Sequence, residues 1–264
     1  MKLLELFAGS RSVGKAAEKL GMEVFSSDLE AFKDIHYQCN IFDFDLSRLP
    51  WQPDIVWASM PCQGFSVLTI SRNWKLKDGI YLPQNSSAKL GIKIAQKTLS
   101  LIQEINPRFF FMENPMGILR KMPFMKGIKR HTVTYCQYGD TRMKPTDIWT
   151  NSTAWKPRPK CKNGDPCHEA SPRGVYGGGT IGLANAYERA KIPERLCMEI
   201  LKSCQVADRN RQIVSTQLPK HIGKNFTDRQ TIQRRIDTVR NKFYLLTELE
   251  QQILLEQINC QFKT

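Results

Sequence analysis

Several things are missing from this 264-residue chain, and each absence narrows what it does. No run of about twenty apolar residues is present, so no helical membrane span and no membrane partner is expected. The first residues enter a strand directly and lack the basic-apolar-small order of a signal peptide. The eight cysteines fall at irregular intervals and form no disulfide framework. Together these features predict a cytoplasmic protein with reduced thiols. Internal repeats are also absent. Acidic residues are in short supply, with 25 Asp and Glu against 39 Lys and Arg, a formal charge of +14. That excess suits a polyanion partner, nucleic acid above all, or else a solvated basic surface. What remains is ordinary for a globular chain: 41% hydrophobic and 24% charged.

The pattern alternates short apolar runs with helical spacings. "KLLELF" (2–7) reads as a buried strand, "AGSRSVG" as a tight turn, and residues 12–20 as a helix. "MEVFSSD" is a second strand ending on Asp28, and "PDIVWAS" a third. "AKLGIKIAQKTLSLIQEI" is helical, and "PRFFFMENP" is a strand ending at Pro115. "RHTVTYCQYG" and "KPTDIWTN" are two further strands, the latter read as antiparallel. This order predicts an α/β fold with a doubly wound, mostly parallel sheet, in which ligands sit beyond the carboxyl ends of the strands. Gly9, Asp28, Cys62 and Glu113 all fall at such ends. Four functional groups on one edge are hard to explain as packing.

Organisation follows from composition. Residues 1–151 form a catalytic and cofactor-binding domain. Residues 152–180, rich in Pro, Gly and Lys, form a short irregular segment suited to target recognition. Residues 181–204 return as a helix, and 205–264 are a basic helical tail. In that tail Ile232, Ile236, Val239, Phe243, Leu246 and Ile253 make a seam, which packs on its own domain or pairs two copies into a homodimer.

"ELFAGSRSVG", "MPCQGFS", "FMENP" and "YCQYGDTRMKPTDIWTN", in that order, resemble the cytosine-5 DNA methyltransferases, and the shortened middle is most similar to compact, phage-type members. The resemblance covers residues 3 to about 150 well and 180–204 weakly. It implies the S-adenosylmethionine-dependent methyltransferase fold, S-adenosyl-L-methionine as cofactor, double-stranded DNA as partner, and a bacterial or phage-infected host cell. Phe7, Ala8, Gly9, Ser10, Arg11, Ser12, Asp28, Leu29, Asn40, Ile41, Pro61 and Leu90 are then cofactor contacts. Phe7 lies near the adenine, and Asp28 accepts from the ribose hydroxyls.

The chemistry explains the remaining types. Cytosine C5 is a poor nucleophile until a thiolate adds at C6, which assigns Cys62. Addition places charge on the ring, which an acid near N3 relieves, and that assigns Glu113. A cation beside the base suits Arg142, with Lys144 where a second Arg is commoner in the family.

The departures are local. Arg11 replaces a turn glycine, which is expected to narrow backbone approach to the cofactor. Asn40 replaces an acid, Met60 and Pro115 alter the flanks of Cys62 and Glu113, and "ERAKIP" stands where an Asn-Ala-Val segment is usual. By the resemblance, Arg11 in the turn and Lys191 in the segment that closes over the methionine end are two cations toward the donor. They suit a methionine carboxylate or a phosphate, or offset an extra carboxylate on the transferred group. "LRKMPFMKGIKR" (119–130) and "KPRPKCK" (156–162) are basic stretches that reach phosphates or simply face solvent. "CKNGDPCH" places Cys161, Cys167 and His168 close together, with Cys136 a further candidate. Their spacing is not the commonest for zinc, so no metal is assigned and loop thiols are preferred over a structural ion.

Three functions remain in competition. The first is DNA cytosine-5 methylation. The second is RNA cytosine-5 methylation, for which the Cys-Phe-Thr signature of tRNA-type members is absent. The third is an inactive DNA-binding regulator, which the joint retention of Cys62, Glu113 and Arg142 opposes. Amino-group methylation lacks its Asp-Pro-Pro-Tyr type motif.

Overall fold

The apolar runs become the middle of a seven-stranded sheet in the computed structural model, which describes residues 1–169 and 186–217. In chain order the elements are β1 (Lys2–Leu6), α1 (Ser12–Lys19), β2 (Glu23–Asp28), β3 (Tyr37–Gln38), β4 (Ile55–Ser59) and α2 (Ile70–Asn73). Then come β5 (Trp74–Lys77), β6 (Ile80–Pro83), α3 (Ser86–Ile105), β7 (Phe109–Pro115), β8 (Arg130–Thr134), β9 (Pro145–Thr150), α4 (Ala186–Ala190) and α5 (Glu194–Gln217). The sheet order is β3-β2-β1-β4-β7-β9-β8. The first five of these strands run parallel, and β9 runs antiparallel to them. β8 pairs antiparallel with β9 and so runs in the direction of the first five. The doubly wound, mostly parallel sheet is as expected, including the antiparallel "KPTDIWTN".

Burial on both faces accounts for the apolar runs of β4 and of β1, which only Glu5 interrupts. Side chains alternate across the sheet. Leu4, Leu6, Val56, Ala58 and Met112 face one core with Ala95, Leu99 and Ile102 of α3. Leu3, Ile55, Trp57 and Phe111 face the other, with Val13, Ala16 and Ala17 of α1 and Leu196, Ile200 and Leu201 of α5. The start of α3 is fixed by Asn85, whose side chain accepts from the Ala88 N–H at 3.0 Å. Its end is Asn106 in the left-handed region at φ 48°.

Three local expectations are corrected. The strand read over "RHTVTYCQYG" stops at Thr134, and Tyr135–Tyr138 form a 3-10 turn instead. The helix read over 181–204 is interrupted, within its described part, between Ala190 and Glu194 at Pro193, whose ring favours a new first turn over a continued helix. The hairpin β5–β6 was not anticipated, although "KLKDGIYL" carries its signal. Asp78 and Gly79 both have positive φ, the geometry of an Asp-Gly turn.

Residues Met1–Asp208 form one unit and Arg209–Thr264 a second, of which 209–217 are described as the end of α5. The tail seam that offered a homodimer lies outside the described residues, as do residues 170–185. Among the described residues no helix is long and apolar enough to cross a membrane.

Candidate active site

The sheet reverses its winding between β1 and β4, so the crevice for a ligand opens beyond their carboxyl ends. The turn leaving β1 is built from left-handed residues: Phe7 (φ 56°), Gly9 (φ 48°) and Arg11 (φ 54°). Glycine alone adopts this conformation without strain, which explains the appeal of glycine at position 11. Arg11 is held there by its own side chain, which is buried and donates to Ser26 Oγ at 3.1 Å and to Glu18. It therefore packs between α1 and β2, and the expectation that it narrows the cofactor's approach is corrected. A Cβ on Gly9 would meet nothing within 4 Å, so the turn's surface is open at that point.

Beneath the turn lies Glu5, which sequence reasoning missed. It accepts from the Val13 N–H and the Ser26 hydroxyl, both at 3.1 Å. Burial pushes its carboxyl up to about 7 against the lowering effects of these bonds and of Arg11. Asp28 accepts from the Gly9 N–H at 2.8 Å and the Glu30 N–H at 3.0 Å, tying the end of β2 to the turn. Asn40 caps a 3-10 turn through its carbonyl, which accepts from the Phe42 N–H at 3.1 Å. Ile41 in that turn is buried, and α3 packs against it. Leu29 and Leu90 are 58% and 50% exposed, an exposure suited to an apolar ligand face.

Ser10 and Ser12 share a 2.8 Å hydroxyl bond and, with Lys15, Lys191 and Ile192, line a cleft of about 620 Å³. The Lys191 amine is engaged by both Glu188 carboxylate oxygens at 2.7 Å. With Arg11 committed to Glu18 and Lys191 to Glu188, neither is an uncompensated cation. That removes the support for an additional carboxylate on the donor.

The loop after β4 is clamped from several sides. Asn114 donates to the Met60 carbonyl at 2.9 Å, and Phe65 and Ser66 N–H groups donate to the Cys62 carbonyl at 2.9 and 3.0 Å. Asn73 and Trp74 donate to the Gly64 carbonyl at 3.3 and 2.7 Å. A Cβ on Gly64 would lie 2.9 Å from the Ser87 carbonyl oxygen, and one on Gly117 2.2 Å from that of Phe65. Both glycines are there because backbone approaches backbone. Pro61 is exposed and Cys62 half-buried at the loop's tip.

Glu113 stands opposite Ser59 in the β4–β7 register and is buried. Its Oε1 accepts from the Tyr135 hydroxyl at 2.9 Å, another partner the sequence did not suggest. The Lys144 ammonium lies 4.7 Å from the Tyr135 ring centre and donates to the Arg189 carbonyl at 2.8 Å. Cys62, Glu113 and Lys144 act on one another's charge. Burial raises the Cys62 thiol, Glu113 raises it further, and Lys144 opposes both. Burial likewise raises Glu113, against Lys144 and Tyr135, and lowers Lys144, against Glu113 and Cys62. Of the two nominated cations, Lys144 is the one whose charge acts on the Cys62 thiol. Arg142 is held by Asp140 through Nε at 2.8 Å and Nη2 at 2.6 Å.

Two groups from the basic and cysteine-bearing stretches are also placed. Arg120 is bound to the fully buried Asp147 and Arg158 to Glu199, so neither guanidinium is a free phosphate contact, whereas Lys121, Lys126, Lys129, Lys156, Lys160 and Lys162 are exposed. Cys136, Cys161, Cys167 and His168 come together, their ligand atoms all within 4.8 Å of one another.

The doubly wound, mostly parallel sheet with this turn beyond β1 is a fold of the S-adenosylmethionine-dependent methyltransferase type. The family profile of the C-5 cytosine-specific DNA methylases matches residues 1–126. A frog virus 3 protein described as a probable DNA (cytosine-5)-methyltransferase is 27% identical over 223 residues, 77% of this chain and 100% of its own length. The type II methyltransferase M.AgeI of Thalassovita gelatinovora is 25% identical over 137 residues, 45% of this chain and 29% of its own length. Among solved structures, a prophage-encoded DNA modification methyltransferase from E. coli gives a TM-score of 0.41 at 15% identity, covering 57% of this chain and 46% of that one. A DNMT2 mutant from Spodoptera frugiperda gives 0.40 at 18% identity, covering 60% of this chain and 53% of that one.

Proposed function

We propose that this chain transfers a methyl group from S-adenosyl-L-methionine to C5 of a cytosine flipped out of double-stranded DNA. The observation that carries the reading is the gathering of Cys62, Glu113 and Lys144 at one sheet edge, beside the turn of β1. The open surface over Gly9, the exposed Leu29 and Leu90, and the cleft beside Ser10 and Ser12 suit the donor, which supplies an electrophilic methyl on a sulfonium.

In this reading Cys62 gives up its proton and the sulfur adds to C6, making C5 nucleophilic. Glu113 in its acid form donates a hydrogen bond or proton at N3 as charge builds on the ring. Burial favours that acid form. Protonated Glu113 also no longer repels a Cys62 thiolate, so the two groups share one negative charge between them. Lys144 stabilises that charge wherever it sits. C5 then takes the methyl group as the sulfonium sulfur leaves as a neutral thioether. The C5 proton passes to solvent, N3 returns its proton to Glu113, and the C6–S bond breaks to return the thiolate. Arg142, positioned by Asp140, and the exposed lysines of 121–129 and 156–162 supply the cationic surface for the DNA backbone.

The test is incubation with tritiated S-adenosylmethionine and mixed-sequence DNA, with tRNA in a parallel arm, followed by nucleoside analysis. 5-Methylcytosine in DNA is expected. Label confined to RNA, or no label in either arm, would refute the assignment.

A further inference from the structure

Three sulfurs and an imidazole that the methyl transfer does not use converge from two separate parts of the chain. Cys136 sits in the 3-10 turn after β8, and Cys161, Cys167 and His168 lie beyond β9. The Cys136–Cys167 sulfurs are 3.7 Å apart, Cys161 lies 3.7 Å and Cys167 3.5 Å from His168 Nδ1, and the Cys136–Cys161 sulfurs are 3.0 Å apart. Four ligands around zinc at bonds of about 2.0–2.3 Å stand about 3.5–3.8 Å from one another along the edges of a tetrahedron. Three of the four distances already match that figure.

We propose that Cys136, Cys161, Cys167 and His168 bind a structural zinc ion that fastens the segment after β9 to the turn carrying Tyr135. Three thiolates and one imidazole nitrogen are a zinc set, and a complete set of four protein ligands is a closed, structural site. The surroundings fit. The Gln137 amide donates to Cys167 Sγ at 3.3 Å, a bond that supports a thiolate. The Cys161 N–H donates to Thr134 Oγ1 at 3.2 Å, and the Glu169 N–H to the Thr141 carbonyl at 2.9 Å, so the backbone on both sides of the cluster is anchored to the β8–β9 connection. His168 Nε2 is buried without a partner among the described residues, and the other ring nitrogen faces the sulfurs. The unusual sequence spacing reflects a site whose first ligand comes from the turn after β8, 25 residues before the second. Cys136 adjoins Tyr135, so the ion braces the turn from which Tyr135 reaches Glu113.

The experiment is metal analysis of the full-length protein, purified under reducing conditions without chelator, followed by replacement with cobalt(II). We expect a single zinc per chain, and for the cobalt form the visible absorption and thiolate-to-metal charge transfer of a tetrahedral, sulfur-rich site. Cys161→Ser should lose the metal. His168→Cys should keep it and shift the cobalt spectrum toward a four-sulfur site, an outcome that misfolding does not produce. Cys39→Ser, outside the cluster, should keep it unchanged. Wild-type protein without zinc, iron in its place, a Cys136–Cys161 disulfide under these conditions, or full zinc in Cys161→Ser would each overturn the proposal.

Discussion

Replacing Tyr135 with Phe isolates one bond at the centre of the proposed chemistry. The Tyr135 hydroxyl donates to Glu113 Oε1 at 2.9 Å, in a place where both groups are buried. The variant keeps the ring over which Lys144 sits 4.7 Å from the centre, so the ammonium stays in place. The bond favours the carboxylate form of Glu113 and opposes the effect of burial. A hydrogen bond to a charged group contributes about 1.5–3 kcal/mol, so its removal shifts Glu113 toward the acid by that amount. If the acid form serves N3, the variant holds that form to higher pH. The alkaline limb of the single-turnover rate against pH should therefore move to higher pH, with a plateau reduced by less than ~10-fold from lost orientation. Single-turnover transfer of tritium to DNA across pH 6–10 reads both. A uniform loss of rate with the limb unmoved would show that Tyr135 only packs, and the assignment of Glu113 as the acid would fall with it.

Cys62→Ser should abolish turnover, leave S-adenosylmethionine binding intact, and fail to form the covalent adduct that 5-fluorocytosine DNA traps with the wild type. An adduct that persists would exclude Cys62 as the nucleophile. Glu5→Gln should change how stability depends on pH. The native state holds the Glu5 proton between 4.5 and about 7, so wild-type stability falls as pH rises through that window and is level above it. The displacement corresponds to about 3 kcal/mol, and urea unfolding should show the pH 5 to pH 8 difference shrinking by that order in the variant; identical pH dependence would refute the burial argument. Asn114→Ala leaves the Met60 carbonyl without its 2.9 Å donor, at a cost of about 1–3 kcal/mol. Calorimetry should show a lowered Tm, and the methyl-transfer rate should fall more than cofactor affinity does. An unchanged Tm and rate would mean that the clamp on the nucleophile loop has no energetic weight.

Much of this was determined by the sequence alone, because periodicity and turn chemistry act over short distances. The alternation of apolar runs with helical spacing is enough for a doubly wound sheet, since a strand buried on both faces needs helices on both. Placing Gly9, Asp28, Cys62 and Glu113 at the carboxyl ends of strands needed only the strands' boundaries. Those boundaries are written locally, in "AGSRSVG", "MPCQG" and "ENP". The hairpin at Asp78-Gly79 was equally legible.

The tertiary structure decided what depended on register. Tyr135 and Glu113 are 22 residues apart, and Asn114 and Met60 54, distances over which no pattern specifies a partner. Asn114 meets Met60 because β7 lies parallel to β4 with Glu113 opposite Ser59. Tyr135 meets Glu113 because β9 pairs antiparallel with both β7 and β8, setting Thr134 opposite Pro145 and Pro115 opposite Thr146. That same pairing brings Lys144 to the Tyr135 ring, while Arg142, two residues away, is caught by Asp140. Sequence could nominate both cations but not choose which would act on the thiol. Arg11 looked like an obstacle to the cofactor until burial between α1 and β2 gave its guanidinium partners. Cys161, Cys167 and His168 are neighbours in sequence, but Cys136 joins them only because the chain beyond β9 folds back on the turn after β8. Local chemistry names the candidate groups, and pairing between distant strands decides which of them meet, because contact energy is gained only where the sheet's register puts two side chains within reach.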